Sequence, residues 1–321
     1  MRILITGISG FAARHFVEFL SGMEDSSEVA GIYHFNQPAF LDNHYKNVHC
    51  SFHKIDLVHY SPVEELILQF KPDYILHLAA KSSVADSWVN PTQCILENTQ
   101  MFLNLIEVMR RHKLPCRLLS VGSSEEYGNV ITRENLITED LCTNAVSPYG
   151  AARSMQQKLV DIYSKNYSID ILHARAFNHL GAFQKGSFVI SSFAKQVAGQ
   201  IRSGAIEINL SVGDVSVIRD FTHVRDVVRA YYMLLLHGKN GETYNVCSGK
   251  GYMLKDLIIL FGQITGKTIN YHQDVKNLRP NENKKLIGSY EKIKISIGWQ
   301  PLLPIEESLK DLLNYWTALP G

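Results

Sequence analysis

A tyrosine and an arginine in one short segment have the residue types and spacing for acid–base chemistry. Tyr149 and Arg153 lie four residues apart in the segment Ser-Pro-Tyr-Gly-Ala-Ala-Arg. Ser147 and Pro148 favour the N-cap and first position of a helix, so the two side chains are predicted to share one helix face. A phenol beside a fixed positive charge is a tuned proton donor, because a cation favours the phenolate. An exposed helix surface can carry the same pair, so its role depends on the residues around it.

A glycine-rich turn near the N-terminus is predicted to hold phosphates. Residues 3–5 form a short apolar run, as a central parallel strand requires, and the spacing Gly-x-x-Gly-x-x-Ala follows at 7–13. In this spacing the first glycine allows the tight turn, the second lets backbone approach a pyrophosphate, and the small third residue packs on the sheet. The open N–H groups at the helix start then bind phosphate. The residues predicted to contact a dinucleotide here are Gly7, Ser9, Gly10 and Phe11.

The ends of the next strands are predicted to border the same cofactor. Asp56 and Leu57 end a third strand, where the Asp56 carboxylate would accept from an adenine amino group or cap a helix over 62–69. A fourth strand, over 74–80, ends in mostly small residues against which a cofactor can lie: Leu78, Ala79 and Ala80. The second strand ends in Tyr-His-Phe-Asn, which is neither the acidic signal for NAD nor the arginine signal for NADP.

Short apolar strands and helices alternate at least five times before residue 178, which predicts a doubly wound parallel sheet of the α/β class. The predicted strands include 29–33, 117–121 and 169–174, and the predicted helices include 91–112 and 148–166. After Asn178 the rhythm changes, with predicted helices over 188–203, 254–265 and 305–313. We therefore predict a dinucleotide-binding domain at 1–177 plus about 218–247, and a smaller α/β substrate lobe at 178–217 and 248–321.

The composition argues against several classes of protein. The 321 residues carry a formal net charge of +1, which does not support a nucleic-acid footprint. The thirteen histidines show no metal-ligand spacing, and no apolar run approaches the length of a membrane span. The first residues read as strand and turn rather than as a signal peptide. Five dispersed cysteines read as free thiols in a reducing compartment, so we expect a cytoplasmic globular protein.

Several motifs together resemble the extended short-chain dehydrogenases/reductases that modify nucleotide sugars. They are Thr6-Gly7-x-x-Gly10-Phe11, His77-Leu78-Ala79-Ala80, Ser123-Ser124-Glu125-Glu126-Tyr127-Gly128, Ser147-Pro148-Tyr149-Gly150, Arg219-Asp220-Phe221-Thr222-His223 and Arg279-Pro280-Asn281-Glu282. The resemblance covers nearly the whole chain. The segment Arg-Ala-Phe-Asn-His-Leu-Gly at 175–181 is most similar to reductases that convert GDP-4-keto-6-deoxy-D-mannose to GDP-D-rhamnose. The related GDP-mannose 4,6-dehydratases continue with a segment that this chain lacks.

The resemblance implies catalytic roles for three residues. In a reductase, Tyr149 would protonate the C4 carbonyl oxygen as hydride arrives from the nicotinamide. Ser123 would hydrogen-bond the same oxygen and fix the sugar. Glu125 matches a glutamate that moves the C5 proton in the dehydratases, although the reductases can carry an acid here as well. Glu125 therefore leaves dehydration open.

The resemblance also implies a set of residues that bind the nucleotide sugar. Asn178 would bond a diphosphate oxygen or the sugar, and the planar forks of Arg219 and Arg279 suit two phosphate oxygens. Glu282 would bind a nucleotide ribose, whereas recognition of guanine follows from the resemblance alone. The complete predicted set is Ser124, Asn178, Val189, Arg219, Arg279 and Glu282.

Arg153 departs from the family, which has lysine four residues after the tyrosine. That lysine bonds the nicotinamide ribose and favours the phenolate. Arginine keeps the charge and the donors, so Arg153 is predicted to act with Tyr149, but its guanidinium is bulkier and can crowd the ribose or pull away from the tyrosine. Lys158 is nine residues after Tyr149, which places it on the opposite helix face.

The sequence therefore predicts an NAD(P)H-dependent enzyme that reduces the C4 keto group of GDP-4-keto-6-deoxy-D-mannose or a close GDP-sugar, with NAD or NADP as its cofactor. Two alternatives stay open. Glu125 favours a nucleotide-sugar 4,6-dehydratase with tightly bound cofactor, and Arg153 favours a low-activity or non-catalytic nucleotide-sugar-binding protein. The helices from Pro91 and Pro148 are predicted to form a four-helix homodimer interface, as the family implies.

Overall fold

Seven parallel strands form the central sheet of the computed structural model, which describes residues 1–38, 45–130, 136–274 and 284–319. In spatial order the strands are β3 (Val48–Lys54), β2 (Ser27–Tyr33), β1 (Arg2–Thr6), β4 (Tyr74–His77), β5 (Arg117–Val121), β6 (Ile171–Ala176) and β10 (Thr243–Val246). The order reverses at β1, where a doubly wound sheet opens a crevice for ligands. This topology confirms the predicted α/β fold.

Helices cover both faces of the sheet. One face packs against α1 (Phe11–Ser21) and α7 (Val224–His237). The other face packs against α2 (Tyr60–Phe70), α4 (Pro91–His112) and α5 (Pro148–Asn166), and the short α3 (Val84–Val89) contacts α4 and α5. The central strands β1 and β4 between these layers consist mostly of buried apolar residues, as a sheet covered on both sides requires. No helix within the described ranges is long and apolar enough to cross a membrane.

A second hydrophobic core lies in the carboxyl-terminal part of the chain. It is built from α6 (Val189–Arg202), α8 (Leu254–Thr265), α10 (Ile305–Ala318) and β8 (Glu207–Val212), whose parallel partner is β12 (Thr268–Gln273). A further sheet contains β9 (Ile218–His223) with β7 (Asn178–Leu180), β11 (Gly251–Met253) and β13 (Lys285–Leu286). The protein thus has two sets of packed layers, a large one around the seven-stranded sheet and a small one in the carboxyl-terminal part, each with its own hydrophobic core.

Two segments lie in a different layer from the one expected. β9 lies at the start of the segment 218–247, which the sequence assigned to the dinucleotide-binding domain. The strands that pair with β9 all belong to the smaller sheet. Conversely, α9 (Glu291–Ile297) packs against β10 and α7, and Ile293 and Trp299 are fully buried in the core of the large sheet. The Trp299 indole donates to the carbonyl of Asp226 at 3.0 Å, which anchors this segment to α7.

β4 ends three residues earlier than the strand predicted over 74–80. After His77 the chain turns toward the end of β1, since the Ala79 N–H donates to Thr6 Oγ1 at 3.1 Å. The Leu78 N–H donates to the Thr6 carbonyl at 3.3 Å. The residues from 78 to 80 therefore leave the sheet and lie beside the glycine-rich turn.

His77 sits at this junction with almost no exposure to solvent. Its Nδ1 lies 2.8 Å from Thr6 Oγ1, and its ring stacks on Phe102 with the centroids 5.5 Å apart. Burial, reinforced by repulsion from the Arg153 guanidinium, lowers the pKa of His77 to about 3. The unfolded chain takes up this proton first as the pH falls, so the stabilising contribution is present above about pH 6.5 and is lost toward pH 3.

We expect His77→Asn to flatten the acid dependence of stability, because the asparagine amide can still meet Thr6 but cannot take up a proton. In the parent, this one group lowers the free energy of unfolding by up to about 1.4 kcal/mol per pH unit below about pH 6. Urea unfolding between about pH 7 and pH 5 measures the slope. His59→Asn, at a side chain that is 73% exposed, is the control. Equal slopes in parent and His77→Asn would contradict this account.

Candidate active site

Helix α5, which carries Tyr149, begins as its sequence predicts. Ser147 is the N-cap of α5 and accepts the Gly150 N–H at 3.0 Å, and Pro148 occupies the first turn. Tyr149 follows within the first turn and is only 7% exposed. The exposed Lys158 lies on the outer face of the helix, as expected from its spacing. The helix start thus aims a buried phenol into the fold.

Arg153 lies one turn further along α5 and is buried as well. Its Cζ is 5.3 Å from the centroid of the Tyr149 ring, so the guanidinium lies over the aromatic face. Nη1 donates to Gln156 Oε1 at 2.6 Å. Nε is buried and has no hydrogen-bond partner among the described residues. Arg153 therefore keeps one donor that only a bound molecule or a water can satisfy.

A 3-10 turn at Ser124–Glu126 follows the carboxyl end of β5 and carries the next candidates. Ser123 caps this turn, since its Oγ accepts the Glu125 N–H at 3.2 Å. The Glu126 carboxylate accepts the Ser123 N–H at 2.8 Å and completes a capping box. Ser124 and Glu126 are buried, and Glu125 is half-buried. The capping box fixes the orientation of the Ser123 hydroxyl.

The 3-10 turn packs directly against the first turn of α5 because residue 150 is glycine. A Cβ added to Gly150 would lie 2.6 Å from the Glu125 carbonyl oxygen, closer than real Cβ contacts allow. This approach places Ser123 and Glu125 on the 3-10 turn beside Tyr149. We call the group Ser123, Glu125, Tyr149 and Arg153 the catalytic corner. The structure brings together all four predicted catalytic residues.

The glycine-rich turn connects β1 to α1 beside the segment 78–80. Gly7 has φ +71°, and a Cβ there would lie 2.9 Å from both the N and the Cα of Ala79. Gly10 is the N-cap of α1, which has no side-chain cap and no acidic residue in its first turn. The Ser9 hydroxyl donates to the Asn36 carbonyl at 2.5 Å and ties the turn to the end of β2. Phe11 stacks on His179 of β7, with ring centroids 5.3 Å apart.

Asp56 follows β3 and does not cap the next helix. α2 begins at Tyr60 with His59 as its N-cap. Asp56 instead accepts the Val58 N–H at 3.1 Å, and its carboxylate lies 3.5 Å from His34 at the end of β2. Of the two roles considered, the helix cap is therefore excluded. The neighbouring Leu57 is buried, and its carbonyl accepts from the Asn104 amide of α4 at 2.8 Å.

These residues fit a nicotinamide dinucleotide. The uncapped start of α1 offers N–H groups to a pyrophosphate. The absence of a Cβ at Gly7 is compatible with close backbone approach. Arg153, near Tyr149, supplies a buried unpaired donor. Within the described part of the chain, no group of three or more metal-ligating side chains could hold a metal ion.

The predicted substrate residues lie on several elements. Asn178 in β7 donates its amide to the Asp220 carbonyl at 3.3 Å, and Arg219 is in the adjacent strand β9. Arg219 is largely buried and donates to the carbonyl of Ile218 at 3.0 Å. Val189 opens α6, and Ser124 belongs to the 3-10 turn. Arg279 and Glu282 lie outside the described residues.

Three residues at this site escaped the sequence interpretation: Glu126, Gln156 and His173. All three are buried and hydrogen-bonded beneath the catalytic corner. The signal for Gln156 was present in the sequence, because it stands three residues after Arg153 on the helix face that carries Tyr149. His173 gave no such signal, since it comes from the middle of β6.

Known proteins match this chain over nearly its full length. The family model for GDP-mannose 4,6 dehydratase matches residues 4–312. A GDP-6-deoxy-D-mannose reductase of Pseudomonas aeruginosa is 30% identical over 317 residues, which cover 99% of this chain and 97% of the relative. A dTDP-glucose 4,6-dehydratase of Haemophilus influenzae is 25% identical over 342 residues, 98% of each protein.

A solved structure shares both the fold and the sequence similarity. The structure of RMD from Pseudomonas aeruginosa complexed with NADPH has a TM-score of 0.85 and 30% sequence identity, and the match covers 99% of both chains. The seven-stranded parallel sheet agrees with these matches. The chain therefore belongs to the GDP-mannose 4,6-dehydratase family of nucleotide-sugar-modifying short-chain dehydrogenases/reductases.

Proposed function

We propose that this chain reduces the C4 keto group of GDP-4-keto-6-deoxy-D-mannose, or of a close GDP-sugar, with NADPH or NADH as the hydride donor. The product of the first substrate would be GDP-D-rhamnose. The observation that carries the proposal is the catalytic corner. In it the buried phenol of Tyr149 lies beside the 3-10 turn that Ser123 caps, and the guanidinium of Arg153 lies over the phenol ring. The similar reductase and the similar structure complexed with NADPH support this substrate and cofactor.

In the proposed reduction, Tyr149, Ser123 and Arg153 each have a separate role. The bound nicotinamide supplies a hydride to the carbonyl carbon. Tyr149 donates its hydroxyl proton to the carbonyl oxygen as negative charge develops there. Because Ser123 Oγ already accepts the Glu125 N–H, its own hydrogen is available to the same oxygen. The guanidinium of Arg153 lies over the Tyr149 ring, with Cζ 5.3 Å from the ring centroid, and places a positive charge next to the proton donor.

Dehydration is the second candidate, and the position of Glu125 favours it. Glu125 is half-buried in the catalytic corner, where a carboxylate can move a proton next to the C4 carbonyl. A dehydratase returns its hydride to the sugar and shows no net change in cofactor. Stoichiometric oxidation of NADPH or NADH therefore identifies the reductase.

A non-catalytic role is the third candidate, and Arg153 is the residue that raises it. If arginine at this position has disabled an ancestral enzyme, Arg153→Lys should restore activity while nucleotide binding stays unchanged. An Arg153→Lys variant no better than the parent would count against a disabled enzyme. Our proposal expects the parent to be active, because the guanidinium has defined contacts in the corner.

All five cysteines of the chain are free thiols. Free cysteines persist in reducing compartments. Together with a nucleotide-sugar substrate, they support our placement of the enzyme in the cytoplasm.

An exposed apolar surface supports the proposal of a homodimer. Large apolar side chains on α3, α4 and α5 are exposed, among them Leu96 at 62% and Met155 at 50%. A row of such side chains on adjacent helices typically marks an interface. The occupant we propose is a second copy of this chain, with α4 and α5 of each copy forming a four-helix contact.

For the reaction itself, we expect the parent to oxidise one equivalent of NADPH or NADH per keto sugar consumed. Tyr149→Phe should lower kcat about 100- to 10,000-fold, because the proton donor is lost while the ring is kept. Tyr163→Phe on the same helix removes a hydroxyl bonded to Glu107 at 2.7 Å, outside the corner, and serves as control. Cofactor absorbance and product chromatography give both rates. Equal loss in the two variants would contradict the assignment of Tyr149.

Gly150→Ala should lower kcat by about 100-fold, because its Cβ pushes the 3-10 turn away from the first turn of α5. Gly199→Ala is the matched control, since an added Cβ at this helical glycine meets nothing within 4 Å. Steady-state kinetics and circular dichroism are measured for both variants. A fully active Gly150→Ala enzyme would show that the close approach is not needed for catalysis.

For the dimer, we expect Leu96→Glu combined with Met155→Glu to convert the chain to a monomer, because charges would be buried in the interface. Ile295→Glu on α9, at an apolar side chain that is 83% exposed, is the matched control. Analytical ultracentrifugation gives the mass. A parent that sediments as a monomer would rule out the homodimer.

A further inference from the structure

A continuous hydrogen-bonded chain runs beneath the catalytic corner from α5 to β6. Gln156 Oε1 accepts from Arg153 Nη1 at 2.6 Å, and Gln156 Nε2 donates to Ser120 Oγ at 2.6 Å. Ser120 Oγ lies 2.9 Å from His173 Nδ1. His173 Nε2 lies 3.0 Å from Glu126 Oε1. Every residue in the chain is buried, so each of these polar groups depends on its neighbours for a partner.

The direction of the donors follows from the first contact. Since Gln156 must present its oxygen to Arg153, its amide nitrogen donates to Ser120. The Glu126 carboxylate accepts, so His173 Nε2 carries the hydrogen of that contact, and in this Nε2–H tautomer Nδ1 accepts from the Ser120 hydroxyl. All donors along the chain therefore point from the guanidinium toward one carboxylate.

Glu126 is the acceptor where this chain meets the catalytic serine. Its Oε1 also accepts the Ser123 N–H at 2.8 Å, and its Oε2 pairs with Arg175 Nε at 3.0 Å. Burial opposes ionisation of Glu126, but His173, Arg175 and the Ser123 N–H hold its pKa below the ordinary value. A carboxylate with these partners is a fixed anchor. Glu126 thereby links the orientation of Ser123 to Arg153, which lies at the other end of the hydrogen-bonded chain.

Gln156 decides where the guanidinium of Arg153 points. The side chain of arginine is long and flexible, so a single contact with the Tyr149 ring leaves it several orientations. The bond from Nη1 to Gln156 fixes a second point of the guanidinium plane. In the resulting orientation Nε stays buried and unpaired. A hydroxyl of a cofactor ribose is a chemical group that can accept from this donor.

We propose that Gln156 is a positioning residue, which holds Arg153 so that its Nε–H can bind a ribose hydroxyl of the nicotinamide cofactor. This inference rests on the proposed function, because it requires that the enzyme bind NADPH or NADH. It also explains how a bulkier arginine works at a lysine position. The Gln156 contact engages Nη1, and Nε is a further donor that has no partner among the described residues.

The test is a double-mutant cycle on cofactor affinity, measured by quenching of protein fluorescence with NADPH and with NADH. Gln156→Met keeps the side-chain length but removes both polar contacts, and should raise the Kd for the better cofactor about tenfold. In an Arg153→Met background the same substitution should change Kd less than about twofold, because Gln156 then has nothing to position. The Kd for GDP should stay unchanged throughout.

Two further variants separate positioning from general damage to the fold. Gln156→Glu keeps an acceptor for Arg153 and should recover most of the affinity that Gln156→Met loses. Gln157→Met removes a neighbouring buried glutamine, bonded to Asp161 at 2.6 Å and outside the chain, and should leave Kd unchanged. Additive penalties of Gln156→Met and Arg153→Met, or equal losses in Gln156→Met and Gln156→Glu, would overturn the inference. A parent that binds neither cofactor would overturn the proposed function as well.

Discussion

A guanidinium inside a protein is stable only where its N–H groups meet acceptors and its charge meets a compensating field. Arg153 meets these requirements in part, through the Tyr149 ring on one side and Gln156 on the other, and its buried Nε has no partner among the described residues. Its effect extends further into the sheet, where its charge adds to burial in lowering the pKa of His77. The polar chain to Glu126 begins at this buried cation, and the low pKa of His77 reflects burial first and this charge second.

The fold supplies the frame in which this arrangement is possible. β5 ends in the 3-10 turn, α5 starts beside it, and Gly150 lets the two backbones approach. On the other side of the crevice, Gly7 brings the first turn against Ala79. A cofactor bound along the start of α1 would therefore extend toward Tyr149. Catalysis is assigned to residues on the 3-10 turn after β5 and on the start of α5, beside the carboxyl edge of the parallel sheet.

Much of this architecture could be predicted from local sequence. Ser147 and Pro148 marked the start of α5, and the glycine spacing after residue 5 marked the dinucleotide turn. Local patterns failed where distant contacts decide the outcome. β4 stops at His77 because the N–H of Ala79 donates to Thr6 Oγ1, which is 73 residues away in the sequence. His59 rather than Asp56 caps α2, and Trp299 joins the core of the large sheet.

The polar chain under the site could not be predicted for the same reason. Gln156 meets Ser120 across 36 residues, and Ser120 meets His173 across 53 residues. Sequence shows Ser120 and His173 only as isolated polar positions within apolar strands, and the spacing that places Gln156 on the face of Tyr149 does not show its partner. The departure at Arg153 was visible, whereas the glutamine that accommodates it required the packed structure.

The most direct test of the central claim is to follow the hydride. GDP-4-keto-6-deoxy-D-mannose is incubated with NADPH or NADH carrying deuterium at the reactive position of the nicotinamide, and the product is analysed by mass spectrometry and NMR. The account predicts a 6-deoxy sugar that has gained a deuteride at C4 and a proton on the oxygen, with one oxidised cofactor per product. An unchanged substrate, or a product without deuterium at C4, would contradict it.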